Sequence, residues 1–247
     1  MSAALAAFAV RLAAREPLTA IVLAALIGGS MLPAYLARRR MRDVLRSGDV
    51  VSVLAAWSES FARIPHPETM RPLITAAAFA SCGWLEQART AMERSARGPA
   101  WDAALEHRLF VETLLDAFEG DRETALQKAS RLCSLPMPVA GPFMRSRVRA
   151  LREALTAFAR AFAHASREGD LALLERASNK SPLVHWAMRY AAAVAAVDRG
   201  QPTHAKRLLE TAPRWPEGSA FRSFHTELAS VVGLTPLPPG SSASRGP

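Results

Sequence analysis

The chain contains little cysteine, tyrosine or lysine and no pattern typical of β-strands. These shortages exclude several fold classes and kinds of functional site. Only two cysteines, Cys82 and Cys133, occur among the 247 residues. They are too few for a disulfide framework and match no metal-ligand spacing, so reduced cytosolic thiols are the simplest interpretation. No convincing run of alternating β-branched residues occurs, so no sheet is expected. Abundant alanine, leucine, arginine and glutamate favour helices, and we predict an all-α fold.

Sequence motifs that carry chemistry are also absent. None of the six histidines belongs to an H-E-x-x-H pair or to a cluster of metal ligands. There is no G-x-S-x-G elbow, no phosphate-binding P-loop and no G-x-G-x-x-G turn after a strand. A nucleophilic Cys82 would need a positioned base, and we expect a structural role for it. The sequence therefore predicts no enzymatic activity, no catalytic residue, no metal site and no cofactor.

Glycines recur along the chain at positions that suit turns between helices. They are separated by 35, 37, 49 and 31 residues, and they are Gly48, Gly83, Gly120, Gly169 and Gly200. Five residues after each glycine stands a small or apolar residue that would let two helices approach closely, namely Val53, Ala88, Ala125, Leu174 and Ala205. Periods near 34 residues indicate stacked helical hairpins. An irregular helical bundle is the alternative, because glycine also ends ordinary helices.

The stretch from Pro72 to Pro99 resembles a tetratricopeptide repeat. Phe79 matches the aromatic residue of the first helix in that family, Gly83 matches its turn, and Ala88 matches its close-packing alanine. The resemblance extends, in degenerate form, over about residues 38–233. It implies a right-handed solenoid of about five helical hairpins. A capping helix would cover the last apolar face, as solenoids require.

The first helix of each hairpin lines a concave groove in that family. The resemblance implies that a largely apolar set of side chains faces this groove here: Met70, Leu73, Ala77, His107, Phe110, Leu114, Tyr190 and Val194. The alternative is that these residues pack against neighbouring helices. Some members hold C-terminal carboxylates with a clamp of basic and asparagine side chains. The matching positions here lack that pattern.

The net charge of +9 comes from arginine rather than lysine, a bias that a GC-rich genome would also produce. A long helix is expected from about Met144 to Glu168, with one apolar face. A basic stripe runs along the same helix and consists of Arg145, Arg149, Arg152, Arg160 and Arg167. It is either a solvated face or a docking face for an acidic partner or anionic lipid headgroups. Nucleic acid is the third possibility, although no aromatic residues interleave with these arginines to stack bases.

Residues 17–37 form an uncharged stretch of 21 residues. As a helix this stretch would span roughly 31 Å, about one hydrocarbon core. The arginine cluster in 38–42 outweighs Arg11 and Arg15, so the positive-inside rule places the C-terminal side in the cytoplasm. We therefore expect a transmembrane helix at 17–37, after an N-terminal segment at 1–16. A cleaved signal peptide and a buried helix of the domain are the alternatives.

Two classes of function remain. The leading hypothesis is a single-pass inner-membrane protein whose repeat domain, 38–233, serves in the cytoplasm as a protein-binding scaffold or assembly adaptor. In layout it resembles bacterial envelope-assembly adaptors, without the cysteine-rich metal module of some of them. The second hypothesis, suggested only by charge, is a regulatory repeat protein that binds nucleic acid or another anionic surface. No small-molecule substrate is evident, and the tail, 234–247, is expected to be disordered because it is rich in proline, glycine and serine.

Overall fold

The computed structural model of the chain describes residues 32–33, 35–61 and 63–234. Helices joined by short turns and loops make up this part of the chain, and no β-strand occurs in it. The predicted all-α class is therefore confirmed.

The chain divides into two compact units, Met1–Asp43 and Val44–Pro247. In the first unit, the described residues are helical and their side chains are exposed. Among the described residues of the chain, no helix is both long enough and apolar enough to cross a membrane. Most of the predicted anchor at 17–37, all of segment 1–16 and the predicted tail after residue 234 lie outside the described residues.

The described part of the second unit is built from short and medium helices. The last turn of a helical segment, residues 44–46, comes first. It is followed by α1 (Val50–Phe61), α2 (Pro67–Ser81), α3 (Leu85–Glu93), α4 (Pro99–Ala103), α5 (Leu105–Glu119), α6 (Arg122–Ser134), α7 (Pro142–Phe162), α8 (Asp170–Lys180), α9 (His185–Asp198), α10 (Pro202–Leu209) and α11 (Ala220–Val231). Helices adjacent in sequence pack as hairpins, most closely α2 with α3, α5 with α6, α8 with α9, and α9 with α10.

The five turn glycines all have positive φ angles, between 69° and 90°. The residue five positions after each glycine has no exposed surface, and the set is Val53, Ala88, Ala125, Leu174 and Ala205. The predicted close-packing positions are therefore buried in every hairpin. A helical hairpin pattern is present, in agreement with the recurrence of the glycines.

The first helix of the fourth hairpin, α7, ends at Phe162 instead of continuing to Glu168 as predicted. The Arg160 guanidinium donates hydrogen bonds of 2.8 and 2.5 Å to the two carboxylate oxygens of Asp170. Asp170 also accepts the backbone N–H of Arg167 at 2.8 Å. Burial alone would raise the pKa of Asp170, but these bonds lower it below its usual value. The ion pair thus holds 163–169 as a loop and starts α8 at Asp170.

The array of hairpins closes on itself. The indole N–H of Trp186 in the fifth hairpin donates to the carbonyl oxygen of Arg46 in the first, at 2.7 Å. The Arg46 guanidinium donates to the carbonyl oxygen of Asn179, also at 2.7 Å. The ring of Trp215 lies directly against Gly48, where a Cβ would come within 2.4 Å of it. Repeats of an open solenoid contact only their sequence neighbours. This arrangement of hairpins is therefore closed, and not open-ended as expected of a solenoid.

The C-terminal helix α11 packs on the inner side of the array, where α2, α5, α7 and α9 meet. The ring of Phe221 lies 5.1 Å from those of Phe118 on α5 and Tyr190 on α9. The ring of Phe224 lies 5.5 Å from Phe118 and 5.6 Å from Phe162 on α7. The helix thus fills part of the inner side, whereas the sequence predicted that it would cap one end.

The start of α11 is joined to the turn of the second hairpin by hydrogen bonds. The Ser219 hydroxyl donates to the carbonyl oxygen of Cys82 at 2.9 Å, and the Ala220 N–H donates to that of Gly83 at 2.8 Å. These bonds satisfy carbonyl groups at the end of α2 that have no partner within the helix. They fix α11 against a turn more than 130 residues earlier in the chain.

Candidate functional site

A largely apolar cavity of about 620 Å³ opens between α2, α5 and α7. Its walls come from the middle of α2, the first halves of α5 and α7, the first hairpin, Leu132 of α6, Pro138 and the loop 181–184. Apolar side chains in these walls include Trp57, Ile74, Phe110, Val148, Leu151 and Leu183. The volume lies in the range of pockets that bind small ligands or side chains of a partner.

The apolar face of α7 explains why the cavity exists. Met144, Val148 and Leu151 follow a spacing of three to four residues and line the cavity, and they remain partly or largely exposed. On the same face Leu155 and Phe158 are completely buried. The second half of the face is therefore covered by the protein itself, whereas the first half is left facing the cavity.

The structure brings four of the eight predicted groove residues together at this cavity. Leu73 and Ala77 come from α2, and His107 and Phe110 come from the first half of α5. Met70 packs against the hydrophobic core without lining the cavity. Half of the predicted set thus borders one cavity, but Leu73 is only 1% exposed, so three of the eight residues offer accessible surface there.

For the remaining three predicted groove residues, the prediction is wrong. Leu114 and Tyr190 have no exposed surface, and Val194 is 8% exposed, so none of them reaches solvent on an open groove. The Tyr190 hydroxyl accepts a hydrogen bond of 2.6 Å from the indole N–H of Trp215 and lies 3.2 Å from Nδ1 of His225. The C-terminal segment therefore covers the second half of the inner side, as the repeat register alone could not indicate.

Arg152 is a structural residue of the cavity wall, and not a member of a docking face. Its side chain is 5% exposed, and its Nε donates to the Glu106 carboxylate at 3.1 Å. Its other nitrogens donate to the carbonyl oxygens of Leu135 at 2.7 Å and Pro136 at 3.2 Å. Because Pro138 from the same loop lines the cavity, Arg152 fixes one wall of it.

The basic stripe is not one continuous surface. Arg152 is buried and Arg160 pairs with Asp170, so neither side chain belongs to the exposed face on which the stripe would lie, whether as a solvated or as a docking surface. The side chains of Arg145, Arg149 and Arg167 are exposed, as predicted for such a face. The helix ends before Arg167, which separates that residue from the other two. The sequence reasoning missed Arg147, which is exposed and lines the cavity.

Lys128 and Cys82 lie outside the cavity and have structural roles. Lys128 lies 2.7 Å from Asp116 and 3.3 Å from Glu112, which joins α5 to α6. Burial, and to a smaller extent Asp49, raises the pKa of Cys82 to about 12, so its thiol stays protonated and unreactive.

Within the described residues, no three His, Cys, Asp or Glu side chains are placed to hold a metal ion. No protein-family model, curated protein or solved structure matches this chain.

Proposed function

We propose that the chain is a membrane-anchored interaction scaffold whose cavity between α2, α5 and α7 binds an apolar segment of a partner protein. The observation that carries this proposal is the convergence of half-exposed apolar side chains from several hairpins on one cavity of about 620 Å³. In this proposal the hairpins form a degenerate, right-handed tetratricopeptide-like array that closes on itself. The anchor at 17–37 holds this array at the cytoplasmic face of the inner membrane.

The packing of α11 indicates which kind of segment the cavity would accept. Its residues Phe221, Phe224 and Leu228, at positions i, i+3 and i+7, pack against the hydrophobic core of the inner side. Partner helices that bind in apolar grooves use the same spacing of anchors. The cavity is lined by α2, α5 and α7, and α11 packs against side chains of α5 and α7, so a second amphipathic helix is the occupant that best matches it.

The charges around the cavity suggest that this helix also carries an acidic side chain. The charged residues of the lining are Glu106, Arg147 and Arg152. Glu106 and Arg152 neutralise each other at 3.1 Å. Arg147 forms no ion pair with any described carboxylate, so the lining has one uncompensated positive charge. An aspartate or glutamate on the partner would complement it and favour the correct orientation.

Ala77→Leu should weaken binding of such a helix about tenfold, because it fills the apolar cavity at the point where an anchor side chain would enter. The measurement is fluorescence anisotropy with the full chain in mild detergent. The probe is an acidic amphipathic peptide selected from a display library. Ala150→Leu is the matched control, because Ala150 is exposed on α7 and does not line the cavity. Equal affinities of the two variants would refute a binding role for the cavity.

Reporter fusions after Arg42 and after Val232 should show that both positions lie in the cytoplasm. The expectation follows from the uncharged stretch at 17–37 and the arginines that come after it. A fluorescent reporter that matures only in the cytoplasm should be active at both sites, and an export-dependent phosphatase should be inactive. Phosphatase activity at both sites would contradict the topology. A mature N-terminus near Met31 would show a cleaved signal peptide.

A further inference from the structure

Three large apolar side chains project from the protein where the loop 135–141 leads into α7. Val139 is 104% exposed, Phe143 is 75% exposed and Met144 is 49% exposed. They follow one another closely in the chain, and we call them the apolar tip. Isolated exposed apolar residues are common on protein surfaces, whereas several large ones grouped in one short segment point to an interaction site.

Three exposed arginines follow the apolar tip on α7, and the first acidic residue after them is Glu153, four positions beyond Arg149. Arg145, Arg147 and Arg149, which we call the arginine collar, are exposed on the first two turns of α7. None of the three forms an ion pair with a described carboxylate. From Leu135 to Arg152 the sequence contains no aspartate or glutamate. The tip thus combines apolar side chains with three arginines that form no ion pair with a described carboxylate.

Hydrogen bonds from arginines of α7 hold in place the loop that carries the apolar tip. Arg152 binds the carbonyl oxygens of Leu135 and Pro136, as described above. The Arg145 Nε donates a longer hydrogen bond of 3.4 Å to the carbonyl oxygen of Pro138. These bonds keep Val139 directed away from the core without closing over it. The protein therefore presents the tip in a fixed position instead of burying it.

We propose that the apolar tip and the arginine collar form a contact site for an anionic lipid surface. The apolar side chains would enter the boundary between headgroups and acyl chains, and the guanidinium groups would bind the lipid phosphates. The tip projects outward, so a protein partner would need a matching cavity, whereas a lipid surface adapts to a projection. Long arginine side chains can cover apolar surface with their stems while their charged ends stay at the headgroups.

This contact site shares only Met144 and Arg147 with the proposed peptide-binding cavity. Val139, Phe143, Arg145 and Arg149 do not line the cavity, whereas Met144 and Arg147 do. Variants restricted to the first four residues therefore test the lipid contact alone. Loss of peptide binding and loss of lipid contact can be measured on the same preparation and need not coincide.

The test measures the depth of a fluorescent label on Val139→Cys in the full chain, with Cys133→Ser as background. Cys82 needs no replacement, because its thiol is 1% exposed. Vesicles contain a lipid-attached quencher in either phosphatidylcholine alone or a mixture with phosphatidylglycerol. Strong quenching is expected only in the anionic mixture. A label on Val231→Cys, 58% exposed on α11, is the control and should stay unquenched in both.

Substitutions within the contact site provide the second comparison of quenching. Arg145→Glu combined with Arg149→Glu should raise the amount of anionic lipid needed for half-maximal quenching about tenfold, because repulsion replaces attraction. Arg145→Lys with Arg149→Lys should retain quenching, and Phe143→Ser should reduce it. Circular dichroism of each variant checks that the helices remain folded.

Three results would overturn the proposal. One is a Val139 label that stays unquenched in anionic vesicles. Another is equal quenching of the labels at Val139 and Val231, which would show that the surface adheres without a specific site. The third concerns quenching of the Val139 label by a collisional quencher dissolved in water. The proposal fails if a soluble polyglutamate peptide protects the label from this quencher and anionic vesicles do not. That result would assign the tip to an acidic protein.

Discussion

Gly83→Ala should lower the free energy of unfolding by about 2–5 kcal/mol, because the new methyl group is both strained and obstructed. Gly83 has a φ of +80°, which L-residues other than glycine rarely adopt. A Cβ there would lie 2.5 Å from Oγ of Ser219, 2.9 Å from Cγ of Phe221 and 3.0 Å from its backbone nitrogen. The obstructing atoms include the backbone of α11, so the clash cannot be relieved by rotating one side chain.

Gly120→Ala is the matched control for this effect. Gly120 occupies the same kind of hairpin turn with a φ of +90°, but nothing lies within 4 Å of its added Cβ. Its substitution should therefore cost only the backbone strain, about 1–2 kcal/mol. Urea unfolding of the two variants, followed by circular dichroism, gives the comparison. If both lose the same stability, α11 does not press on the turn of the second hairpin as described.

Arg152→Ala should lower the free energy of unfolding by about 2–3 kcal/mol. Removing one partner of a fully buried ion pair typically costs about 3–5 kcal/mol, and the cost here is reduced because the Glu106 side chain keeps contact with water. That side chain is 36% exposed, compared with 5% for Arg152. The loss of hydrogen bonds to two carbonyl oxygens should also release the loop 135–141. Limited proteolysis should then cleave this loop, in addition to the shift in urea unfolding.

Arg149→Ala is the control for Arg152, since both arginines lie on α7 and only the second is buried. Exposed positions of this kind usually change stability by less than about 0.5 kcal/mol. Arg152→Lys should give an intermediate loss, because lysine keeps the charge but lacks the fork that reaches several acceptors. Similar stabilities for the variants at positions 149 and 152 would show that Arg152 belongs to the solvated face after all.

The sequence was sufficient to predict the helical hairpins, because the pattern that indicates them is local. A turn glycine and a small residue five positions later report on contacts within one hairpin, and Ala88 and Ala125 are buried as expected. The register implied by the tetratricopeptide resemblance placed Phe110 on the inner side, where it lines the cavity. Nothing in these spacings describes what covers that side. Tyr190 was therefore predicted to face an open groove.

The closed arrangement and the role of α11 depend on contacts between distant parts of the chain. The aromatic residues Trp215, Phe221 and Phe224 were the available signal, since so many large apolar side chains near the C-terminus need a common core. The prediction of one continuous basic stripe along α7 was wrong for a related reason. Helical spacing places Arg145 and Arg152 on one face, but only the loop 135–141 determines that the second of them is buried.

The bond between Trp186 and Arg46 has a consequence for the order in which the protein folds. The two residues are 140 positions apart, and the bond joins the first hairpin to the fifth. Each hairpin can form from contacts within about 40 residues, whereas this bond must wait until most of the chain has been ordered, because closing so long a loop costs entropy before any contact repays it. We therefore expect the contact between the first and fifth hairpins to form last, and a chain in which it has not yet formed to be less resistant to unfolding.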